Sequence, residues 1–578
     1  MSNDSMLISD ATRRNWEKLH TEGFDKLKCR ANKSLSKKRI VPDNYIHRNG
    51  LDSIARQLMS CTHSNRDIFY CLCMQKLNRL PNNINIKRFA SEYRSDVNIE
   101  FDLSDEVLSD TKRDWIGFLY QMRTPEGQRN IQGQYYTNFN VVNKMLSDVH
   151  LDHNQSFFDP CCGTGAFLMN VGAESLSQLY GVDNDEIAVM IAKANLIALY
   201  PDDIHYPRIY CEDYLDDTIF ATGQTVDLQF DYIYTNPPWG ICKTHQYRSD
   251  VIHSGERAAL FFVKAFRQLK PEGYISFLLP SSLLKIKVHQ DFRSFILRKT
   301  GIESISLYNE RFNGVFTDFF SITATKKNSV DIQSYYVKKN EQLVWISKPV
   351  TESDTEIELN SLAEQEILAM VDARGFYNLK ESVWALGVVT GDNKNKLKKE
   401  KTEGYEPIYT GKDIGRYSLR NPSNYILYDR TQLQQCAKDE YYRCSEKLVY
   451  KFISKSLCFA YDNSSSLFLN SANILIPRIK GLSIKTVLAF LNSELFSYYY
   501  SKKFTDIKIL KGNLMALPFP EITEQQNAEI SDMVDSVLKG EQLFIEKIND
   551  YIYSLYGFSP TIVSKIKKAL HGNVDFSA

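Results

Sequence analysis

The chain has 578 residues, of which 43% are hydrophobic and 24% charged, and its acidic and basic residues balance at 70 each. This composition excludes a disordered chain, and the zero net charge excludes nucleic-acid binding through a global positive field, so any such site must be a local basic surface. The length predicts two to four domains. No apolar run is long enough to span a bilayer, and the N-terminus lacks the apolar segment of a signal peptide, so we expect a cytoplasmic protein without membrane contact.

Residues 1–130 predict a helical region, because "LDSIARQLM" and "RDIFYCLCMQKLNRL" carry apolar residues at helical spacing. Cys61-x-His63 and Cys71-x-Cys73 offer zinc-ligand side chains in this region. However, C-x-C is not the usual C-x2-C spacing, and Cys71 and Cys73 lie in an apolar stretch. We therefore expect core cysteines and no metal site.

Residues 131–350 change to short apolar strands that alternate with helices, in "SFFDP", "SQLYGVD", "RIYCED", "FDYIYTN" and "YISFLLP". This alternation predicts an α/β, Rossmann-like domain with a parallel sheet and crossover helices. Residues 351–525 are aromatic, Lys-rich and irregular, which predicts an α+β domain. Residues 526–578 return to helical periodicity and predict a C-terminal helical segment.

The segment "FFDPCCGTGAFLM" predicts a strand, then Asp159, a Gly163-x-Gly165 turn and the start of a helix. Glycines at such a turn let the backbone pass close to a ligand at the carboxyl edge of the sheet. No Gly-Lys-Ser/Thr follows, so the phosphate-binding lysine of a P-loop is missing. The dinucleotide pattern G-x-G-x-x-G is also incomplete, because Leu168 stands at its third glycine position.

Two more acids follow predicted strands, Asp183 in "LYGVDND" and Asp213 in "YCEDYL". A carboxylate at the end of the second strand is positioned to accept hydrogen bonds from ribose hydroxyls, and Asp213 is suited to an exocyclic amine. Each acid alone is also consistent with a helix N-cap or a loop position. Three strand-end acids without a phosphate cradle suit a cationic cofactor with a free ribose, and S-adenosyl-L-methionine has those properties.

The segment "YIYTNPPWG" predicts a strand that ends at a stiff turn, because Asn is a common turn residue and proline fixes φ. From these residues alone, the Asn236-Pro-Pro-Trp239 motif is consistent with a turn only or with a turn that also carries chemistry.

"DPCCGTGAFL" and "NPPW" resemble the cofactor and catalytic motifs of DNA N6-adenine methyltransferases, and "DWIGFLYQM…GQYYTNFNVVNKM" resembles the entry segment of that family. The resemblance covers residues 114–330, with "TNF" where the family usually has Thr-Pro. It implies base flipping, transfer to the adenine amine at Asn236, Pro237, Pro238 and Trp239, and stacking of the flipped base on Trp239 and Phe316. The resemblance implies that the cofactor-binding residues are Tyr136, Thr137, Asp159, Cys161, Gly163, Gly165, Asp183, Asp213, Asn236 and Phe261.

Residues 351–525 resemble the family's target-recognition domain, through "WALGVVTGDNKN" and "YEPIYTGKDIGRYSL". A recognition domain after the catalytic motifs matches the γ order of these enzymes. Basic runs support contact with DNA phosphates. The predicted DNA-binding residues are Lys412, Arg416, Lys502, Lys503 and Lys511. The N-terminal helices are similar to the leading domain of type I modification subunits.

The predicted function is S-adenosyl-L-methionine-dependent methylation of adenine N6 in double-stranded DNA, in a restriction–modification system of a prokaryotic cell. The predicted protein acts as a monomer or dimer on DNA, with a separate cognate restriction endonuclease as an open partner. The alternatives are a modification subunit, a methylase–nuclease fusion, a methyltransferase of RNA or protein glutamine, and a DNA-binding subunit with a silent methylase fold.

Overall fold

The computed structural model describes residues 51–81, 83–124, 137–216, 228–242, 247, 249–308, 318–327, 329–339, 342–454, 456–504 and 508–571. These residues fall into two compact units, one that ends at Leu359 and one that begins at Asn360. The four segments predicted from the sequence therefore group in pairs. The N-terminal helices share a unit with the α/β domain, and the C-terminal helices share one with the irregular domain.

The N-terminal part of the first unit is helical, as predicted. Its helices are α1 (Asp52–Ser60), α2 (Asn65–Leu77), α3 (Ile84–Glu92), α4 (Asp105–Ser109) and α5 (Trp115–Arg123). Their apolar faces form one core with α7 (Glu186–Leu199), a helix of the α/β domain. Cys71 and Cys73 lie in this core, 6% and 0% exposed, which confirms the prediction of core cysteines. These helices therefore pack directly on the α/β domain.

The α/β domain is built on one nine-stranded sheet, in the order β3-β2-β1-β4-β5-β7-β6-β8-β9. The strands are β1 (Phe157–Asp159), β2 (Leu179–Asp183), β3 (Arg208–Cys211), β4 (Phe230–Thr235), β5 (Leu269–Pro280), β6 (Thr300–Leu307), β7 (Phe319–Lys326), β8 (Ile332–Lys339) and β9 (Gln342–Pro349). Strands β1 to β5 pair in parallel, and β7 is antiparallel to its neighbours β5 and β6. All five strands predicted from the sequence are present.

Both faces of the sheet are covered, as an α/β sheet requires. Because side chains alternate across a strand, Phe157 enters the core on one face and Phe158 the core on the other. The covering helices of this unit are α6 (Phe139–Leu146), α7, α8 (Arg257–Arg267), α9 (Ser282–Lys285) and α10 (Gln290–Lys299).

The helix predicted directly after Gly163-x-Gly165 is not a regular helix. Residues 163–170 form successive turns, in which Gly163 and Gly165 adopt positive φ angles of 51° and 97°. The Asn170 side chain donates to the Ala166 carbonyl at 2.7 Å, and such local bonds compete with helical ones. The backbone of this segment therefore stays irregular where it follows β1.

The second unit contains two four-stranded sheets, in the orders β10-β17-β14-β15 and β11-β13-β12-β16. Their strands are β10 (Val383–Leu386), β11 (Leu397–Lys398), β12 (Glu406–Tyr409), β13 (Asn424–Ile426), β14 (Lys447–Lys451), β15 (Phe459–Asp462), β16 (Leu467–Phe468) and β17 (Ala472–Ile476). The helices are α11 (Leu362–Arg374), α12 (Asn393–Lys396), α13 (Asp439–Tyr442), α14 (Ile484–Asn492), α15 (Glu494–Lys503), α16 (Lys511–Met515), α17 (Glu524–Leu538), α18 (Leu543–Leu555) and α19 (Pro560–His571). Helices α11, α14, α15 and α17 to α19 share one core with β14 and β15. Within the described part of the whole chain, every helix is too short or too polar to cross a membrane.

Candidate active site

A cavity lies at the carboxyl edge of the sheet, where the parallel strands β1, β2 and β4 end. The residues that the sequence predicted for cofactor and catalysis and that line this cavity are Thr137, Asp159, Cys161, Gly163, Asp183, Asn236 and Pro238. These residues come from four separate segments. The parallel sheet brings them together because its strands end at one edge, where α/β sheets bind ligands.

Asp183 at the end of β2 fixes the turn that follows β1. Its Oδ2 accepts a hydrogen bond from the Gly163 backbone N–H at 2.8 Å, and its Oδ1 accepts one from the Asp185 N–H at 3.0 Å. A Cβ at Gly163 would meet no atom within 4 Å, so this glycine borders open space. The carboxylate therefore orders the turn, and its oxygens retain acceptor capacity for a ligand.

Asp159 and Asp183 are almost completely buried carboxyl groups, 1% and 6% exposed. Burial raises the pKa of Asp159 to about 7 and that of Asp183 to about 6, and their mutual repulsion also raises the pKa of Asp159. Hydrogen bonds from backbone N–H groups oppose these shifts only in part. A cation or a set of hydroxyl donors in the cavity would favour the ionised forms.

Asn236 at the end of β4 is oriented by Thr137. The Asn236 Nδ2 donates a hydrogen bond to the Thr137 Oγ1 at 3.0 Å, and Thr137 is 7% exposed. Because the amide NH2 makes this bond, the acceptor atom of the side chain is Oδ1. The contact therefore determines which end of the amide acts as the acceptor.

Glu256 and Arg257, two residues that sequence reasoning missed, hold the turn after Asn236. The Gly240 N–H donates to the Glu256 carboxylate at 2.6 Å, and Arg257 Nη2 donates to the Trp239 carbonyl at 2.9 Å. Gly240 has a φ of 107°, which favours glycine. Burial raises the pKa of Glu256, which is 5% exposed. In the sequence, the feature that could indicate this role is the position of Glu256 and Arg257 at the start of α8.

Trp239 is half-buried and its ring is held in one orientation. Its Nε1 donates to the Leu278 carbonyl at 3.2 Å, and its ring centroid lies 6.0 Å from that of Phe319. Tyr308 in turn stacks on Phe319, with 5.2 Å between the two ring centroids. The indole is therefore fixed from strands β5 and β7.

Two family models match this chain. The N-6 DNA Methylase model matches residues 113–391, which include every residue of the cavity described above, and the TaqI-like C-terminal specificity domain model matches residues 406–519. The chain therefore carries an N-6 DNA methylase domain over residues 113–391. It is a DNA methyltransferase of the restriction–modification type.

Relatives of this methylase include the type II methyltransferase M.VspI of Vibrio sp. (strain 343), which is 27% identical over 311 residues, 52% of this chain and 74% of that protein. The methylase subunit of the type I restriction enzyme MjaVII of Methanocaldococcus jannaschii is 30% identical over 155 residues, a quarter of either chain. The type IIL restriction–modification enzyme MmeI, solved in complex with DNA, shares the fold with a TM-score of 0.53 and 13% identity, over 98% of both chains.

Three predicted cofactor residues lie outside the lining of the methylase cavity. Gly165 lies two residues after Gly163 in the turn, and the Gly165 N–H donates to the Cys162 carbonyl at 2.8 Å. Asp213 lies beyond β3, where its carboxylate accepts hydrogen bonds from the Tyr247 hydroxyl and the Leu215 N–H. Phe261 is buried in α8, 5.2 Å from the Tyr214 ring. The predicted Tyr136 and Phe316 fall outside the described residues.

The predicted DNA-binding residues of the specificity domain divide into two groups. Lys412, Arg416 and Lys511 are exposed, and within the described ranges none of them pairs with an acidic side chain. In contrast, Lys502 pairs with Glu364, and Lys503 pairs with Asp372 at 2.9 Å. The charges of Lys502 and Lys503 are therefore already compensated.

The loop that carries Lys412 and Arg416 is held by a buried acid. Asp413 is 5% exposed and accepts hydrogen bonds from the Thr410 N–H at 2.6 Å and the Ser423 hydroxyl at 3.0 Å. Tyr417 adopts a φ of 64°, and its N–H donates to the Phe459 carbonyl at 2.8 Å. The exposed Lys412 and Arg416 thus stand on a rigid loop.

Proposed function

We propose that this chain transfers a methyl group from S-adenosyl-L-methionine to the N6 amine of adenine in double-stranded DNA, as the modification enzyme of a restriction–modification system. The observation that carries the proposal is that Asn236 and Pro238 line the same cavity as Asp159, Gly163 and Asp183. The cavity is thus lined both by a proposed acceptor for an amine, Asn236, and by the buried carboxyl groups of Asp159 and Asp183.

The residues of the cavity fit S-adenosyl-L-methionine by their chemistry. Asp159 and Asp183 are buried acids whose pKa values are raised to about 7 and about 6, so a cationic ligand would stabilise their carboxylates. Asp183 would accept hydrogen bonds from the ribose hydroxyls, and the open space at Gly163 admits a ligand close to the backbone. Thr137 would lie beside the methionine part. When bound, the cofactor supplies a methyl group that its sulfonium centre makes electrophilic.

Asn236 would act on the amine of the target adenine. The lone pair of that nitrogen is delocalised into the ring, so an unassisted amine is a poor nucleophile. Asn236 Oδ1 and the Pro237 carbonyl would accept its two hydrogens and favour the pyramidal, more nucleophilic form. Two prolines and the bond to Thr137 hold these acceptors in advance, so little reorganisation is needed during the reaction.

Trp239 would stack on the adenine after it leaves the duplex. A base inside the helix is out of reach of the cavity, so the nucleotide must flip before the reaction. The indole is held by the Leu278 carbonyl and lies beside Phe319, and a fixed aromatic face loses little entropy when a base stacks on it. We propose Phe316 as the second stacking residue, and Asp213 and Phe261 as contacts for the adenine of the cofactor.

Incubation of the purified protein with methyl-labelled S-adenosyl-L-methionine tests the proposal. Unmethylated DNA, RNA and protein are offered in parallel, and the modified base is mapped as N6-methyladenine. The proposal expects label in DNA alone. Label in RNA or protein with none in DNA, or label at another atom of DNA, would contradict it.

The variant Asn236→Ala tests the role of the acceptor. We expect the methyl-transfer rate to fall by about 100-fold or more, as for other preorganised polar groups that act on a transition state, while the cofactor still binds. The matched control is Asn154→Ala, because Asn154 is an exposed asparagine before β1. Equal rates for the two variants would exclude the acceptor role.

A further inference from the structure

A chain of buried polar side chains connects the N-terminal helices to the turn that borders the cavity. Lys76 Nζ of α2 donates to Asn195 Oδ1 of α7 at 3.0 Å, and Asn195 Nδ2 donates to Asp114 Oδ1 at 2.7 Å. Asp114 Oδ2 accepts a hydrogen bond from the Thr164 hydroxyl. Lys76, Asn195 and Asp114 are 1%, 0% and 5% exposed. The network is therefore buried from α2 as far as Asp114, and it reaches the partly exposed Thr164 at the turn.

Thr164 is the point at which the network reaches the cavity. It stands between Gly163 and Gly165, whose left-handed backbone gives this turn little rigidity of its own. Its hydroxyl bonds to Asp114, and its carbonyl accepts a hydrogen bond from Asn195 Nδ2 at 3.1 Å. Thr164 also lines the cavity. Asp114 and Asn195, two buried side chains outside the turn, therefore hold it at Thr164, in addition to the bond from Gly163 to Asp183.

Helix α5 approaches the same threonine without a side chain between them. The Gly117 N–H donates to Asp114 Oδ1 at 2.9 Å. A Cβ at Gly117 would lie 2.3 Å from Thr164 Oγ1 and 2.6 Å from Thr164 Cβ, distances that real Cβ atoms do not reach. Helix α5 therefore packs directly against Thr164 at Gly117, in addition to the hydrogen bonds that join Asp114 to this threonine.

Lys76 is the basic end of the network; burial lowers the pKa of its amino group, and the nearby Asp114 carboxyl opposes that shift. The ammonium group lies 5.8 Å from the Trp115 ring centroid and shares Asn195 with the Asp114 carboxylate. Buried charges persist in a fold when they are paired and hydrogen-bonded. An apolar pair in place of Lys76 and Asn195 would hold α2 against α7 at lower cost, so the polar residues at these positions indicate a role beyond helix packing.

We propose that Asp114 is a positioning residue for cofactor binding, which holds the Gly163–Gly165 turn against the cavity through Thr164. The inference rests on the proposed function, because it takes the cavity to be the cofactor site. It gives the N-terminal helices a role, since α2 and α5 then support the turn that contacts the cofactor.

Three substitutions separate positioning from fold stability. Thr164→Val keeps the volume and removes the hydroxyl. Asp114→Ala removes the acceptor for Gly117, Thr164 and Asn195. Asp114→Asn keeps Oδ1 for Gly117 and Asn195, and its amide can donate to the Thr164 hydroxyl. Loss of a hydrogen bond to a buried charged group predicts an increase of about tenfold in the cofactor Kd for Thr164→Val and at least as much for Asp114→Ala. For Asp114→Asn we expect a change of less than about threefold.

The measurements are calorimetric binding of S-adenosyl-L-methionine to the full chain, together with KM for the cofactor and kcat on DNA. Positioning predicts that KM for the cofactor rises while kcat at saturation stays within about twofold. Thr486→Val is the matched control, because Thr486 is a fully buried threonine whose hydroxyl donates to the Asn527 carbonyl at 3.1 Å. We expect this control to lower the melting temperature and to leave cofactor binding unchanged.

The charge of Lys76 is tested separately. Asp114→Asn leaves a buried ammonium without its carboxylate, so the melting temperature should fall, and Lys76→Met combined with Asp114→Asn should restore it. If Asp114→Ala and Thr164→Val bind the cofactor as the wild-type protein does, or if kcat falls at unchanged KM, the positioning role of Asp114 is wrong. The proposed function would not be affected by either result. Failure of the wild-type protein to bind the cofactor would overturn the proposed function as well.

Discussion

The Asn236 amide donates a hydrogen bond to the Thr137 hydroxyl at 3.0 Å. Thr137 precedes α6, whereas Asn236 directly follows β4, so the bond links the segment that enters the domain to the Asn236-Pro-Pro-Trp239 motif. Both residues line the cavity. A residue predicted to contact the cofactor therefore also orients the residue predicted to act on the substrate.

Thr137→Val should slow methyl transfer. The substitution removes the hydroxyl that accepts from Asn236 Nδ2, so the amide is free to rotate away from its productive orientation. Loss of one hydrogen bond, roughly 1 kcal/mol, predicts a fall of about fivefold in kcat. Thr137→Ser is the control because it keeps the hydroxyl, and single-turnover kinetics give the rates. Equal rates for the Val and Ser variants would contradict the orienting role.

Cofactor binding should strengthen as pH rises from 5.5 to 8. The pKa values of Asp183 and Asp159 are raised from 3.8 to about 6 and about 7, so both groups ionise across this range in the free protein. A cationic cofactor that binds the carboxylates then competes with fewer protons. The measurement is the rise in melting temperature that S-adenosyl-L-methionine causes at each pH, and a rise that does not vary with pH would contradict this prediction.

The stability of the ligand-free protein should change in the opposite direction. Because the native state keeps its protons to a higher pH than the unfolded chain, the free energy of unfolding should fall between about pH 4 and 7 from these two groups and then level off. Asp183→Asn should reduce this pH dependence. A denaturant titration at each pH gives the free energy, and an unchanged slope in the variant would assign the dependence to other groups.

Tyr247→Phe should increase the affinity for the cofactor. The Tyr247 hydroxyl donates to Asp213 Oδ2, the carboxylate proposed to accept the cofactor's adenine amine. Without that hydroxyl, Oδ2 is available to the amine while the Leu215 N–H still bonds to Oδ1, so we expect a fall in Kd of about fivefold for a bond of roughly 1 kcal/mol. Tyr551→Phe is the control, because Tyr551 makes a similar bond to Glu529 in the other unit. Weaker binding by Tyr247→Phe would show instead that the tyrosine supports Asp213.

Lys412, Arg416 and Lys511 should contribute more to DNA affinity than Lys502 and Lys503. The first three are exposed, whereas Lys502 and Lys503 are paired with Glu364 and Asp372. Each alanine substitution in the first group should reduce the slope of log K against log salt by about 0.9 if the residue contacts a phosphate. Fluorescence anisotropy at several salt concentrations measures this slope. A larger loss from Lys502→Ala or Lys503→Ala would reverse the assignment.

The sequence places Asp159, Asp183 and Asn236 at the ends of apolar strands; in the structure Asp159 and Asp183 are the last residues of β1 and β2, and Asn236 follows β4. Parallel strands in one sheet end at one edge, so a local pattern is enough to place these residues together. The prediction of a helix directly after Gly163-x-Gly165 was wrong, because this segment forms turns. There the backbone follows two positive φ angles and a bond from Asn170 to Ala166, which compete with helical periodicity.

The fold class and the order of the motifs can be predicted from short stretches of the chain, because strand periodicity and glycine turns are local properties. The bonds between distant side chains follow only from tertiary packing. Asn236 and Thr137 are 99 residues apart, and Lys76 and Asn195 are 119 apart. The same holds for the pairing of Lys502 with Glu364, since a surface lysine and an ion-paired lysine look identical in sequence. Such contacts depend on how helices pack on a sheet or on one another, which no short pattern encodes.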